Sequence, residues 1–207
     1  MISLEKNSGL PIFLKDSKLV FSKNVKAVKP AVRRLYEMND IFYKKVRGSN
    51  KIMYYMYRGV CFKKDEIEFL KRNLRYDITI LKPCKIGKEY NKTYGHVHKT
   101  QEIYSVIYGR AIFLLQKKNE ILICEAKENE AILIKPGYFH LTINPGKKPL
   151  VIANIIKKNV KADYSISKKM HGAAIYKLDK GWVKNKNYKI KFKIKKLKAK
   201  KLNKPLY

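Results

Sequence analysis

The chain has 207 residues, 45% of them hydrophobic, and no apolar run approaches the roughly 18 residues that cross a bilayer, so a globular chain with a buried core is expected. The formal net charge of +32 rests on 41 lysines and only 7 arginines, although arginine is the residue that most often reads phosphates and bases. Because isoleucine, asparagine and tyrosine share A/T-rich codons with lysine, genome composition explains this charge as well as nucleic-acid binding does.

The opening residues and the cysteines predict a cytoplasmic protein. The first residues lack the basic stretch and apolar run of a secretory signal. Cys61, Cys84 and Cys124 are odd in number and form no CxxC pair, which indicates neither a disulfide framework nor a zinc knuckle. A reducing compartment suits this pattern.

Residues 1–75 are predicted to form an N-terminal extension of strands and short helices that packs on the following domain. Pro30–Met38 is predicted to be a short helix with proline in its first turn. Ile52–Tyr57 is typical of a strand. Lys64–Leu74 is predicted to be a second helix because its apolar residues recur at helical spacing.

Residues 76–181 are predicted to form an antiparallel sandwich or barrel. Short β-branched and aromatic runs recur there between glycine, proline and asparagine turns, and no helix-length pattern interrupts them up to residue 156. This pattern of short strands and turns argues against a parallel sheet with crossover helices. The predicted strands are Ile78–Leu81, Glu102–Tyr108, Ala111–Gln116, Ile121–Cys124, Ala131–Ile134 and Leu150–Ile156.

Residues 182–207 form a lysine-rich tail with few acidic residues. Its composition predicts a solvated, partly disordered segment. The alternation of lysine with apolar residues over Lys189–Lys195 leaves a basic edge strand as the alternative.

Three of the four histidines lie in two short motifs, and the first motif combines two histidines with a glutamate. His96 and His98 are followed by Glu102 and Gly109. Residues two apart in a strand point to the same face, so the two imidazoles can lie side by side. Glu102, across a tight turn or at the start of the next strand, can add a carboxylate oxygen to the same point.

The second motif places a histidine after a Pro-Gly turn. The turn at residues 136–137 is followed by His140, which can face the first group from the start of a new strand, and then by Asn144. Three imidazoles and one carboxylate suit Fe, Mn, Zn, Ni or Co, and on an octahedral ion they leave open positions for catalysis. Ordinary surface histidines are the alternative interpretation, and His171 is interpreted as a loop residue.

The two motifs resemble those of the cupins, whose all-β fold is a double-stranded β-helix, or jelly-roll, barrel. From about residue 33 to residue 181 the chain resembles, more narrowly, the archaeal cupin-type glucose-6-phosphate isomerases. The segments that carry this resemblance are Arg33–Leu35 with Met38, Tyr54–Tyr57, Ile86–His98, Glu102–Gly109, Leu114–Gln116 and Ala162–Tyr164.

The resemblance implies a dimeric barrel that binds one divalent metal per subunit and interconverts glucose 6-phosphate and fructose 6-phosphate. Iron is the implied metal, with Mn, Zn, Ni and Co as alternatives, and the implied ligands are His96, His98, Glu102 and His140. The implied contacts to the phosphosugar are Tyr54, Thr79, Thr93, Gly95, Tyr104 and Tyr164. Of these, Thr79, Thr93 and Gly95 would contact the phosphate with help from Tyr54, and Tyr164 would line the pocket. Tyr104 would face the sugar near the metal, and Glu102 would be the base at C2 or would remain a ligand during a hydride shift.

Two positions depart from the pattern of that family. Ile156 stands where the family tends to have tyrosine and Ala162 where it tends to have histidine, and both changes bear on the phosphate contacts and on ring opening. Two other functions stay open. One is a different metal-dependent cupin enzyme, such as a dioxygenase or another sugar isomerase, and the other is a non-catalytic cupin that contacts nucleic acid nonspecifically through its basic tail.

Overall fold

Strands dominate the computed structural model, which describes residues 1–44 and 49–207. They are β1 (Ile2–Ser3), β2 (Ile12–Lys15), β3 (Lys18–Phe21), β4 (Ala31–Arg34), β5 (Ile52–Arg58), β6 (Leu74–Leu81), β7 (Lys85–Ile86), β8 (Glu89–Tyr90), β9 (Glu102–Tyr108), β10 (Arg110–Lys117), β11 (Glu120–Lys127), β12 (Glu130–Ile134), β13 (Phe139–Ile143), β14 (Leu150–Lys157), β15 (Ile175–Leu178), β16 (Gly181–Lys184), β17 (Lys193–Lys196) and β18 (Lys200–Lys201). The helices are α1 (Glu5–Ser8), α2 (Glu66–Lys71) and α3 (Ser165–Met170), with 3-10 turns at Leu35–Glu37, Asn39–Ile41 and Lys63–Asp65. No helix of the described residues is long and apolar enough to span a bilayer.

Two sheets enclose the barrel interior. The larger has the order β18-β12-β9-β14-β6-β5-β4, and the smaller has the order β13-β10-β11-β17. One buried apolar cluster draws side chains from both sheets and fills the space between them. The six strands predicted between residues 78 and 156 all form, within β6, β9, β10, β11, β12 and β14. The expected all-β cupin barrel is therefore confirmed.

The alternation of side chains along each strand decides which residues reach the interior. On β6, Tyr76 and Ile78 pack outward against the N-terminal strands. Arg75, Asp77 and Thr79 alternate with them and line an interior cavity. The apolar outer face of the large sheet thus holds the N-terminal extension, while the polar residues of β6 are left for the cavity.

The outer face of the small sheet is covered by the segment that follows the barrel strands. Ile112 and Leu114 of β10 point outward and pack against Ala173 and Ala174, which lie between α3 and β15. A hydrogen bond also ties α3 to the segment that carries the first two histidines. The Ser167 hydroxyl donates this 2.6 Å bond to the Gly95 carbonyl.

Both predicted helices of the first half need correction. The prediction of a helix over Pro30–Met38 is wrong, since β4 pairs there with β5 at the edge of the large sheet. Proline lacks a backbone donor and is tolerated at the start of an edge strand, so Pro30 suits this position too. The second helix forms, but only over Glu66–Lys71, and its Ile67 is 66% exposed rather than packed on a core. The left-handed backbone of Asn73, with φ of 52°, separates it from β6.

Backbone pairing orders the lysine-rich segment, so the prediction of a partly disordered tail is wrong, although its lysine side chains are solvated as predicted. β17 pairs in parallel with β11, and β18 pairs antiparallel with β12. The alternative of a basic edge strand is right in kind, although the strand covers Lys193–Lys196. Further on, the Tyr207 ring packs edge-on against Tyr76, and its hydroxyl donates a 2.7 Å hydrogen bond to Asp65. The lysine side chains stay exposed, and apart from the ion pair of Lys195 with Glu120 the main chain supplies the bonds between the strands.

Candidate metal centre

The structure brings His96, His98, Glu102 and His140 together inside the barrel. One potential ligand atom from each lies within 4.8 Å of the others. His96 and His140 are held opposite each other by two backbone hydrogen bonds, of 3.2 and 3.0 Å, in an antiparallel bridge. Glu102 is the first residue of β9 and His140 the second residue of β13, so the cluster joins the two sheets.

Main-chain carbonyls orient all three imidazoles. The Nδ1 atoms lie 2.7 Å from the Thr100 carbonyl for His98, 3.1 Å from the Tyr138 carbonyl for His140, and 3.4 Å from the Tyr94 carbonyl for His96. A carbonyl only accepts, so each Nδ1 carries the hydrogen and each Nε2 keeps its lone pair. This arrangement is typical of histidines that bind a metal through Nε2.

The atoms at the centre of the cluster fit a cation. The Glu102 Oε2 lies 2.9 Å from Nε2 of His98 and 3.4 Å from Nε2 of His140. With Nδ1 protonated, these nitrogens and the carboxylate oxygen are all acceptors, and they repel one another unless positive charge lies between them. Nε2 of His140 is also buried without a hydrogen-bond partner. The residues present therefore fit a divalent metal with N and O ligands.

The protonation states suit metal binding at neutral pH. Burial alone would raise the pKa of Glu102, but the adjacent His140 and His98 side chains outweigh it and lower this pKa to about 2. Burial and the neighbouring imidazoles lower the pKa of His96 to about 3. Burial opposes protonation of His98, yet the contact with Glu102 raises the pKa of His98. A proton and a metal ion therefore compete for the position between His98 and Glu102.

A fifth residue, Asn154 of β14, supports the cluster by binding one carboxylate oxygen of Glu102. Its Nδ2 donates a 2.7 Å hydrogen bond to Oε1 of Glu102, and the residue is only 5% exposed. Glu102 therefore presents Oε2 to the histidines while Oε1 is held in place. The sequence reasoning missed Asn154, although a lone amide within the apolar run of β14 is a detectable signal, because a buried polar side chain needs a partner.

A cavity of about 270 Å³ opens beside the four residues. The sequence-predicted contacts that line it are Tyr54, Thr79, Thr93, Tyr104 and Tyr164. Tyr104 lies with its ring centroid 6.1 Å from that of His140. Burial and the charge of Glu102 raise the pKa of Tyr104, so its hydroxyl stays protonated and can donate. Arg58, Arg75 and Asp77, which the sequence reasoning did not select, line the same cavity.

Two of the selected residues have structural partners as well. The Thr93 hydroxyl accepts a 2.9 Å hydrogen bond from the Thr142 amide and so joins the histidine segment to β13. Gly95 does not line the cavity; a Cβ there would lie 2.2 Å from the Phe139 ring. A close approach of the two metal-site segments thus requires glycine at this position. His171 lies outside the cavity, as expected of a loop residue, and ends α3 with a left-handed backbone.

Comparison with known proteins points to one enzyme family. The family model "Glucose-6-phosphate isomerase (GPI)" matches residues 31–193. A glucose-6-phosphate isomerase of Thermococcus litoralis is 28% identical over 150 residues, which cover 68% of this chain and 76% of that protein. A second, from Thermococcus gammatolerans, is 28% identical over 166 residues and covers 76% and 84%. Among solved structures, a mutant of Bacillus subtilis oxalate decarboxylase aligns with a TM-score of 0.48 at 13% identity, covering 77% of this chain and 37% of that one.

Proposed function

The chain belongs to the glucose-6-phosphate isomerase family, and we propose that it interconverts glucose 6-phosphate and fructose 6-phosphate at the four-residue cluster. The observation that carries this proposal is the convergence of His96, His98, Glu102 and His140 within 4.8 Å beside a cavity. On a six-coordinate metal, three imidazoles and one carboxylate would leave positions for two substrate oxygens.

A single divalent metal is part of the proposal, with iron first and Mn, Zn, Ni and Co as alternatives, because mixed N and O ligands accept all five. Bound by the four side chains, such an ion would polarise the substrate oxygens on C1 and C2 and stabilise the negative charge that develops there. The protein contributes the ligand geometry, the neutral imidazole of His96 and the ionised carboxylate of Glu102.

Glu102 and Tyr104 are the proposed groups nearest to the reacting carbons. A carboxylate with a pKa of about 2 is a weak base, and both of its oxygens already have partners, so these features favour Glu102 as a ligand. Tyr104 keeps its proton and can donate a hydrogen bond to a sugar oxygen. We propose that Tyr54, Thr79, Thr93 and Tyr164 position the substrate from the cavity wall. Gly95 lies outside the cavity lining and allows the histidine segment to approach Phe139 closely.

Running the reaction in D₂O separates the two roles of Glu102. If a base removes the C2 proton of glucose 6-phosphate and returns it to C1, exchange with solvent places deuterium on C1 of fructose 6-phosphate. If hydrogen passes directly from C2 to C1, the product carries no deuterium at that carbon. NMR of the product therefore tests Glu102 as the base, which stays a prediction.

A coupled assay tests the proposed activity. Fructose 6-phosphate is supplied to protein stripped with EDTA and then reloaded with each of the five metals, and glucose 6-phosphate formation is followed. We expect activity only after reloading, and none in His96→Ala or His140→Ala. His171→Asn, which changes a histidine outside the cavity and tolerates the left-handed backbone, is the matched control and should stay active. Full activity in the metal-free protein would refute the proposal.

We also propose a cytoplasmic homodimer. Three free cysteines, with Cys61 and Cys124 buried, are compatible with a reducing compartment. Light scattering coupled to size exclusion measures the mass in solution, and a particle of one chain, 24.3 kDa, would contradict the dimer.

A further inference from the structure

An apolar groove lies between the lysine-rich tail and the barrel. Its volume is about 490 Å³, within the range of sites that hold small molecules. It shares no lining residue with the cavity beside the metal cluster. Leu133 of β12 and Leu197 of the tail both line it and remain 45% and 37% exposed. The groove is therefore an accessible apolar surface that the proposed isomerase function does not use.

The tail forms one wall of this groove as a fixed part of the fold. β17 lies beside β11 of the small sheet and β18 beside β12 of the large sheet, so the tail crosses from one sheet to the other. The Leu197 amide donates a 2.8 Å hydrogen bond to the Ile123 carbonyl before the crossing, and the Leu202 amide donates a 2.9 Å bond to the Asn129 carbonyl after it. Between them, Ala199 packs against the core cluster of the barrel. Hydrogen bonds on both sides thus hold the wall in place.

Hydrocarbon side chains make up most of the lining. Leu115 and Leu122 come from the small sheet, and Ile103 and Leu133 come from the large sheet. Among the described lining residues, Tyr138 and three lysines alone carry polar side-chain groups. An extended peptide would bring backbone amides and carbonyls that these carbon surfaces leave without partners. An acyl chain brings no such groups.

The three lysines give the groove a positive charge. Lys135, Lys198 and Lys200 line it and are exposed. Within the described part of the chain, no carboxylate lines the groove and none of these ammonium groups is in an ion pair. A second copy of the chain docked groove to groove would bring the same three lysines, so like charges would meet. The charge therefore favours an anionic ligand over self-association.

We infer that the groove binds a free long-chain fatty acid. The hydrocarbon chain lies between β12 and the tail, and the carboxylate meets the ammonium groups of Lys198 and Lys200, whose methylene stems extend the apolar surface. The concave shape fits one acyl chain, whereas apolar residues that protrude would fit the surface of a bilayer. The wall that carries Leu197, Lys198, Lys200, Leu202 and Leu206 follows residue 193, where the family match ends, so the site goes beyond the proposed function.

Titration calorimetry of the full metal-loaded chain with dodecanoate, kept below its micelle concentration, measures this binding. We expect one site per chain. Leu133→Gln and Leu197→Gln should each raise the dodecanoate Kd by roughly 10-fold, the order expected when one leucine no longer packs on an acyl chain. Ile67→Gln and Leu70→Gln change side chains that are 66% and 47% exposed on α2, outside the groove, and should leave the Kd unchanged.

The lysines are tested separately, because exposed lysines can be replaced without repacking the core. Lys198→Gln/Lys200→Gln should raise the dodecanoate Kd by roughly threefold and make the remaining binding less sensitive to salt. Lys168→Gln/Lys169→Gln removes the same charge from exposed positions on α3 and should change neither. Dodecyl maltoside, which has the same chain and no charge, should bind more weakly than dodecanoate.

The inference is overturned if dodecanoate shows no saturable binding, if the groove variants bind it within twofold of the unmodified protein, or if the α2 variants weaken it equally. Binding to phosphatidylglycerol vesicles without binding of free dodecanoate would assign the surface to a membrane instead. A mass that falls from two chains to one in Leu133→Gln, without dodecanoate binding, would assign it to a contact between copies. Isomerase turnover should be equal in all these variants, so failure of this site and failure of the proposed function are distinguishable.

Discussion

The hydrogen bond from Asn154 to Glu102 provides a sharp test of the metal centre. Asn154→Ala removes a 2.7 Å hydrogen bond to the buried carboxylate of Glu102 and leaves all four ligand residues unchanged. A hydrogen bond to a charged group contributes about 1.5–3 kcal/mol. Removing a residue that orients a ligand typically weakens metal binding about 10- to 100-fold, which corresponds to about 1.4–2.8 kcal/mol. The two ranges agree, so we expect the metal Kd to rise by that factor.

Competition with a chromogenic chelator measures the metal Kd of Asn154→Ala. Asn144→Ala is the matched control, because Asn144 is equally buried but donates to the main-chain carbonyls of Leu81 and Lys148. The control should lose stability in urea and keep its metal affinity. The reasoning is refuted if Asn154→Ala binds metal within twofold of the unmodified protein, or if both variants weaken metal binding equally.

Three further predictions concern stability. The pKa of Glu102 falls from 4.5 to about 2 on folding, so its contribution is present above pH 4.5 and is lost as the pH falls toward 2. Urea denaturation of chelator-treated protein should show a loss of about 3 kcal/mol that is absent in Glu102→Gln. Lys92 and Glu89 form a buried ion pair at 2.5 Å, with side chains 3% and 1% exposed. Lys92→Met should lower the free energy of unfolding in urea by about 3–5 kcal/mol, because it leaves Glu89 buried without its partner, and Lys92→Met/Glu89→Gln should recover much of that loss. Gly95→Ala puts a Cβ 2.2 Å from a carbon of the Phe139 ring and should lower both the melting temperature and the metal affinity. In Gly146→Ala, the control, the nearest atom lies 3.4 Å from the new Cβ, so the melting temperature and the metal affinity should stay unchanged.

Strand texture and motif spacing made the barrel and its ligand cluster predictable. The two-residue period of extended backbone predicts that His96 and His98 share a face, although only isolated bridges form at His96 and Val97, and the Pro-Gly turn precedes the strand that carries His140. Both relations involve residues close together in the chain, so they can be recognised without knowing the fold. The helix predicted over Pro30–Met38 failed because the backbone of that segment completes the edge of a sheet whose other strands lie far along the chain.

The substrate contacts were less accessible to sequence reasoning. Thr93 and Gly95 were selected by their place beside the histidines, and the structure gives both of them packing roles that the motif does not state. Asn154 was missed because its partner, Glu102, lies 52 residues away. The strand pairing that brings them together is a property of the whole sheet.

By itself, the sequence determined the barrel, the four potential ligands and the family, because each depends on residues close together in the chain. The tertiary structure decided which residues support those ligands and which others line the cavity beside them. Arg58 and Arg75 are seventeen residues apart and belong to unremarkable stretches of sequence, and only the pairing of β5 with β6 brings them to one place. Cross-strand register aligns distant segments to within a residue, and a shift of one residue would turn every one of these side chains to the opposite face.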